Sequence, residues 1–374
     1  MRHDAEAIVV GAGPAGATAA LVLARAGLEV LLLEKRRFPR DKLCGGFLAA
    51  RSVNLLEALH GEEAAAGLYH HSDDRFQVWH HGALVADRRL GDRMAFVQRL
   101  EFDQFLARQA ERAGARLLEE AEAAACEIGM EPGASGTAVR LKDGRELRSR
   151  WLVAADGALS RLRRQLEPGF QPGGAALELH VPGGANEPPR LDFGPFPWGY
   201  GWRFPKRGCA TVGVGGWGAH KGGQRELLKD YLDELGLEGG AAAGWPIPDR
   251  PARALAQGRL LLAGDAAGFA EPISGEGIYY ALRSGQRAAQ AVLAARAAPE
   301  GRAAAELRRA YLDGTAHIRR QMRASRLFRP LFYSPRAQRR LLEIFCSLPE
   351  LRSVEWHDIF IHTARGLLRR QARA

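Results

Sequence analysis

Six residues near the start of the chain, Gly11-Ala12-Gly13-Pro14-Ala15-Gly16, restrict its fold more than any other feature. A short apolar run, Glu6-Ala7-Ile8-Val9-Val10, leads straight into them. An Ala- and Leu-rich helical stretch follows from Ala17 to Ala26, with Gly27 as its stop. Glu29-Val30-Leu31-Leu32-Leu33 then reads as a second buried strand ending at Glu34. This is a βαβ opening with glycines at the first turn. Gly11 permits the tight turn, Gly13 lets the backbone approach a pyrophosphate, and Gly16 lets the helix pack against the strand. Pro14 and Ala15 lie in the same turn, and the N-terminus of the helix beyond offers free N–H groups and a partial positive charge to phosphate. Glu34, with Lys35 beside it, is placed to accept hydrogen bonds from a ribose hydroxyl. A lone GxGxxG says little; here strand, turn, helix, strand and acid agree on dinucleotide binding. Gly213-Val214-Gly215-Gly216-Trp217-Gly218 also matches the pattern, but no helix follows, and it reads as a glycine-rich strand end.

Further along, residues 103–113 suggest a helix, and 137–141 and 145–154 suggest strands closing at Asp156-Gly157. From about 165 to 255 Gly, Pro and aromatics dominate, with strand-like pieces at 199–204 and 210–215. Arg259-Leu260-Leu261-Leu262-Ala263 is another buried strand, ending at Gly264-Asp265, and Gly277 to Ala297 reads as a long helix. The fold class expected is therefore α/β: a Rossmann-like nucleotide domain, discontinuous in sequence, with an inserted, mostly antiparallel β substrate domain and a C-terminal helical segment. The boundaries read as 1–75 and 76–164 for the first two parts of the nucleotide domain, the second with interleaved substrate-domain strands. Residues 165–255 form the β-rich domain, 256–298 the third nucleotide part, and 299–374 the basic helical segment.

Composition excludes several classes. With 46% hydrophobic and 26% charged residues, the chain is neither disordered nor fibrous. Cys44, Cys126, Cys209 and Cys346 are spread singly, which excludes a disulfide scaffold or zinc ribbon and fits a reducing compartment. No apolar run reaches the roughly 18 residues of a membrane span. The net charge of +10 is local: residues 301–374 hold 16 arginines against six acids, and the rest of the chain balances. The arginines come with no nucleic-acid-binding motif, so no nucleic acid is expected as a partner.

Gly264-Asp265 decides which dinucleotide. It follows a buried strand and precedes Pro272-Ile273-Ser274-Gly275-Glu276-Gly277-Ile278 at the start of a helix. An Asp at a strand end can hold a ribityl or ribose hydroxyl, and a glycine-rich helix N-terminus can stabilise negative charge on a reduced isoalloxazine. The cofactor expected is FAD.

These motifs carry a family resemblance. Gly11–Gly16, Arg99 in Val97-Gln98-Arg99-Leu100-Glu101-Phe102-Asp103, Ala155-Asp156-Gly157 and Gly264-Asp265 resemble the FAD fingerprints of the p-hydroxybenzoate hydroxylase-like flavoproteins. Within that superfamily, Lys42-Leu43-Cys44-Gly45-Gly46-Phe47, Gly199-Tyr200-Gly201-Trp202-Arg203-Phe204-Pro205-Lys206 and Gly264–Gly285 look like the geranylgeranyl reductase family. The resemblance implies FAD-dependent hydrogenation of carbon–carbon double bonds in isoprenoid chains. It implies that Cys44 and Gly45 lie near the flavin, that Arg99, Asp156, Asp265, Pro272, Gly275, Gly277 and Ile278 contact the cofactor, and that Tyr200 and Trp202 line the substrate cavity. Phe47 stands where some members have a third glycine. Gly268 and Ile278 stand where aromatic hydroxylases often carry His and Asn, and both favour a reductase. Flavin halogenases share the aromatic-x-Trp-x-x-Pro stretch.

The catalytic residues expected are Cys44, Tyr200 and Trp202. Cys44 could deliver or position a proton, an ordered water could do the same, and a free cysteine can also be a small buried hydrophobe. Tyr200, Trp202 and Phe204 alternate at strand period, as core or as cavity wall. His70-His71 and His80-His81 read as surface polar residues, and no metal site is expected. The Arg pairs of the C-terminus, together with Leu327-Phe328 and Leu331-Phe332-Tyr333, read either as a solvated helical face or as a dock for an anionic membrane. The function expected is hydride transfer from reduced flavin plus a proton to an isoprenoid alkene, with NADPH or another donor visiting transiently. The expected location is the cytoplasm, with docking on the inner face of the membrane. The alternatives are an FAD monooxygenase or halogenase on the same fold, or a non-catalytic flavin- and lipid-binding protein.

Overall fold

The computed structural model describes residues 3–128, 136–218 and 223–347. The first of its two sheets runs in the order Ala256–Gln257, Leu260–Leu262, Glu146–Ala154, Ala5–Val10, Val30–Leu33, Arg116–Leu118. The strands from Leu260–Leu262 to Arg116–Leu118 are parallel. Val30–Leu33 and Leu260–Leu262 are buried throughout, as expected of parallel strands covered on both faces. The antiparallel pair Ala123–Ile128 and Thr137–Leu141 extends this sheet beside Glu146–Ala154.

Hydrogen bonds carry the ladder past the strand ends. Gly11 N–H donates to the Leu33 carbonyl (2.7 Å), Ala155 N–H to Val10 (2.8 Å) and Ala263 N–H to Ala154 (2.9 Å). The segments beginning at Gly11, Ala155 and Gly264, far apart in sequence, therefore leave the sheet side by side at its carboxyl edge. That edge is where open α/β sheets bind ligands.

The second sheet runs Ala243–Ile247, Gly174–Pro182, Cys209–Trp217, Gly199–Lys206, Arg190–Phe193, His71–His80, Ala83–Phe96, Phe47–Leu48. It is antiparallel except where Arg190–Phe193 meets His71–His80. It thus takes strands from 47–96 as well as from the Gly- and aromatic-rich stretch. Gly213 to Trp217 lie inside the Cys209–Trp217 strand. One face is sealed by the helix Gln224–Leu235, through Leu228, Tyr231 and Leu232 packed on Leu177, Leu179, Val212 and Val214. The opposite face looks toward the first sheet.

Helix boundaries differ from expectation by up to four residues. The first helix begins at Pro14, because proline is suited to a first turn, and spans Pro14–Arg25. The helix expected over 103–113 spans Arg99–Arg112, starting earlier than its apolar pattern suggests. Gln224–Leu235 is a helix within the 165–255 stretch read as mostly β, and Arg161–Leu166 is a further helix at its start. The C-terminal segment folds as Glu300–Gly314, Ala316–Phe332 and Gln338–Ser347. The basic residues beyond, Arg369-Arg370 among them, lie outside the described residues. Among the described residues no helix is long and apolar enough to cross a membrane.

The helix Pro14–Arg25 touches backbone on two sides. A Cβ at Gly16 would overlap the Gly11 carbonyl, and a Cβ at Gly285, on the helix Ile278–Ala297, would overlap the Ala15 carbonyl. Gly285→Ala is expected to destabilise the protein by about 1–3 kcal/mol through overpacking. Gly301, also helical but with open space around it, should accept alanine within about 1 kcal/mol. Thermal or urea unfolding of the two variants checks this contrast.

Candidate active site

A cavity of about 720 Å³ lies between the two sheets. At one end it is lined by Gly11, Gly13, Pro14 and Ala15. Gly11 holds φ +96°, Gly13 faces open space, and no side chain caps the helix they open. Unfilled backbone donors on an unobstructed turn fit a pyrophosphate.

Glu34 and Arg99 line the same end, but both belong to a buried ionic chain. Glu34 accepts from Ala12 N–H (3.2 Å), Arg36 N–H (3.1 Å) and Arg40 (2.9 Å). A carboxylate has about four lone-pair sites, which leaves one for a ribose hydroxyl. Arg40 continues to Asp103 (2.6 Å), and Asp103 grips Arg99 through two bonds of 2.6 and 2.7 Å. Burial alone would push Asp103 up; Arg99 and Arg40 reverse this and hold it below the usual carboxylate range. Arg99 is thereby fixed rather than free to seek a ligand. Sequence reasoning missed Arg40, since nothing in the motif marks an arginine six residues beyond Glu34 as its partner. Lys35 also lines this end.

Asp156 lines the cavity with its oxygens turned to the protein. It accepts from Ser160 Oγ (2.6 Å), Arg161 N–H (2.9 Å) and Leu162 N–H (3.4 Å), tying down the start of the Arg161–Leu166 helix. Asp265 faces the cavity and pairs with Lys42 (3.1 Å). Gly275, Gly277 and Ile278 line it at the N-terminus of Ile278–Ala297, again without a side-chain cap. Gly16, Gly264 and Pro272 stand behind the wall. Gly16 packs on Gly11, Gly264 donates its N–H to Ser284 Oγ (2.9 Å), and Pro272 is buried in the turn beside Glu271. Their contribution is to shape the turns rather than to line the cavity.

The middle of the cavity is built by the Cys-Gly-Gly segment lying on the second sheet. Cys44 N–H donates to Glu178 Oε1 (2.7 Å), and Gly46 N–H to Cys44 Sγ (3.4 Å). Lys206 Nζ donates to the carbonyls of Gly45 (2.6 Å) and Val97 (2.7 Å). A Cβ at Gly45 would sit 2.9 Å from the Phe204 ring and 3.2 Å from Trp202 Nε1. Gly46 takes φ +68° in the same close approach. Tyr200, Trp202 and Phe204 share one face, with ring centroids 5.7 and 6.3 Å apart in succession, and the Tyr200 hydroxyl donates to the Ser274 carbonyl. Beyond them Phe193, Leu191, Met94, Leu342 and Phe345 carry the wall outward. The arrangement offers phosphate donors at one end and a long apolar channel at the other.

Glu178 went unnoticed in the sequence, where an acid between two leucines is unremarkable, and Lys206 reads there only as the end of the Gly199–Lys206 motif, with no role of its own. Both are almost fully buried. Burial pushes Glu178 up to about 7 against the pull of Lys206, and pushes Lys206 down to about 8 against the pull of Cys44 and Glu178. The histidine expectation needs correction. The His70 ring is tucked against Glu101 (2.9 Å) on a half-buried residue, and His80 is buried with its ring 4.6 Å from that of His81, which is exposed as expected. Among the described residues no cluster suited to a metal ion occurs.

Known proteins share this pattern. Residues 4–192 match the FAD binding domain family. The menaquinone reductase of Mycobacterium tuberculosis is 33% identical over 315 residues, covering 77% of this chain and 76% of that protein. The geranylgeranyl diphosphate reductase of Rhodobacter capsulatus is 31% identical over 323 residues, covering 79% of this chain and 76% of that protein. A solved structure of a geranylgeranyl bacteriochlorophyll reductase-like protein from Thermoplasma acidophilum matches with a TM-score of 0.81 at 22% identity, covering 96% of this chain and 98% of that one. That last likeness is one of fold. With its dinucleotide cradle and apolar channel, the chain belongs to the geranylgeranyl reductase family of FAD-dependent oxidoreductases.

Proposed function

We propose that this protein hydrogenates carbon–carbon double bonds of an isoprenoid chain. The observation that carries the reading is the continuity of one cavity, from the glycine turn and helix N-terminus at Gly11–Ala15 to the aromatic and aliphatic wall around Trp202 and Phe345. Bound FAD, once reduced by NADPH or another transient donor, would supply hydride. The protein's own part is to bind, orient and exclude water. The Pro14–Arg25 helix would hold the pyrophosphate, with Glu34 and Asp265 on hydroxyls of the cofactor. Gly277 and Ile278 would face the ring at an uncapped helix N-terminus, with Gly275, whose own N–H is given to the Glu271 carbonyl, shaping the turn before them. An isolated alkene accepts hydride poorly, so protonation must lead or accompany the transfer. Positive charge developing on carbon would then meet the π faces of Tyr200 and Trp202. Cys44, at the near wall, would position the reacting region or carry a proton on Sγ.

Attachment to a membrane surface belongs to the same reading, since such substrates reside in lipid. On the helix Ala316–Phe332, Leu327 is 83% and Leu331 45% exposed, in line with exposed Arg320 and Arg323. An apolar stripe with cations beside it suits an anionic bilayer. Arg329 on the same helix is turned inward, over Trp217 at 5.1 Å and facing Asp249 at 3.7 Å.

Two experiments test these statements. Protein reduced anaerobically with dithionite and given geranylgeranyl diphosphate or an isoprenoid quinone should yield a product heavier by two hydrogens per bond, with the flavin reoxidised. Unchanged lipid, with a gain of one oxygen on some small molecule once air is admitted, would instead place the chain with the monooxygenases. In vesicle sedimentation the protein should pellet with anionic but not zwitterionic vesicles, and Leu327→Glu should weaken that pelleting at least severalfold.

A further inference from the structure

Cross-strand pairing sets Glu178, Gly213 and Trp202 in one row on the cavity face of the second sheet. Leu177 and Leu179, to either side of the acid, point the opposite way into the core sealed by the Gln224–Leu235 helix. Gly213 makes the row possible: a Cβ there would strike the Trp202 ring and come within 2.7 Å of Glu178 Cβ. Glu178 is 5% exposed and lines the cavity. Its Oε1 is held by Cys44 N–H, whereas its Oε2 is buried with no hydrogen-bond partner, as is the neighbouring Trp202 Nε1. A buried carboxyl oxygen without a partner is costly in a site with no use for it.

We propose that Glu178 is the acid that protonates the reacting alkene, through its unpartnered Oε2 at the cavity wall, while Cys44 N–H fixes Oε1. The inference rests on the reductase reading and deepens it. In the step, the carboxyl O–H bond and the alkene π bond break. One C–H bond forms with the proton from Glu178, and the other with the hydride that reduced FAD supplies. The alkene is reduced and the flavin oxidised. The carboxylate left behind faces the Lys206 ammonium and regains its proton from water.

The surroundings suit the role. Lys206 from the Gly199–Lys206 strand and Arg99 from its helix favour the carboxylate, as does Cys44 N–H. Burial and Asp41 favour the neutral acid, and burial dominates, so the group titrates near neutrality. His180 follows on the same strand, with its ring toward Thr211 (3.3 Å). Cys44 Sγ, by contrast, receives the Gly46 N–H.

The test uses flavin-loaded protein. In wild type, alkene-dependent flavin reoxidation should fall as pH rises through about 7, because the acid form is the donor. Infrared difference spectra should show one protonated carboxyl band lost over the same range. Glu178→Gln keeps the acceptor for Cys44 N–H. It should bind and accept electrons onto flavin as wild type does, lose the infrared band, and reoxidise with alkene about a hundredfold or more slowly. Glu178→Asp should restore part of the rate together with the pH dependence. A wild-type profile flat across neutrality would overturn the proposal even if no variant folds. So would a Glu178→Gln rate within a few-fold of wild type, or a basic limb that moves with Cys44→Ser and not with Glu178→Gln. If wild type reduces no isoprenoid at all, the reductase reading itself fails, and the role of Glu178 with it.

Discussion

Main-chain contact around one helix governs this structure. The Pro14–Arg25 helix can reach the sheet edge only because Gly16 lies against the Gly11 carbonyl and Gly285 against Ala15. Those contacts admit no side chain, so the helix can lie this close only with glycine at both positions. The same clamp brings the Ile278–Ala297 helix alongside, and both uncapped N-termini then open on one cavity. Dinucleotide binding is thus a consequence of how closely backbone can approach backbone. The charged residues nearby, from Glu34 through Arg40 and Asp103 to Arg99, mostly hold one another and keep the wall in place.

The second sheet imposes the other half of the design through its period of two. One face is sealed by a helix; the other carries Tyr200, Trp202 and Phe204 with Glu178 and Lys206 at their margin. The Cys44–Gly46 segment lies flat on that face because glycine at 45 and 46 leaves room for Phe204, Trp202 and the Val97 carbonyl. Three hydrogen bonds, from Cys44 N–H to Glu178 and from Lys206 to Gly45 and Val97, then pin it. The apolar wall and the buried acid are adjacent by register, as neighbours across strands.

Local signals in the sequence account for what could be read there. Gly11 to Gly16, Glu34 and Gly264-Asp265 each sit where a strand meets a turn, and their chemistry depends on that junction. The Tyr200–Lys206 stretch is legible for the same reason, since alternation along one strand reports a face. Partners set by tertiary pairing were not legible. Nothing local tells that Glu178 opposes Gly213, that Lys206 reaches under Gly45, or that Arg40 bridges Glu34 and Asp103. Asp156 illustrates the converse: its position after a buried strand points to the cavity, where it does lie, yet its oxygens serve the turn at Ser160. His70 and His80 show that polar pairs in sequence are no guide to exposure when Glu101 or a second ring is brought to them by the fold.

The central claim is that one cavity holds cofactor and isoprenoid together, with the reacting bond between the Cys44–Gly46 segment and the Trp202 row. The most direct measurement is a crystal structure of the FAD-loaded protein soaked with a saturated isoprenoid alcohol, which can bind but cannot react. The account predicts the flavin ring against Cys44–Gly46 and the chain running past Trp202 and Phe193 toward Phe345. A chain seated elsewhere on the molecule, or a ring turned away from Trp202, would contradict it.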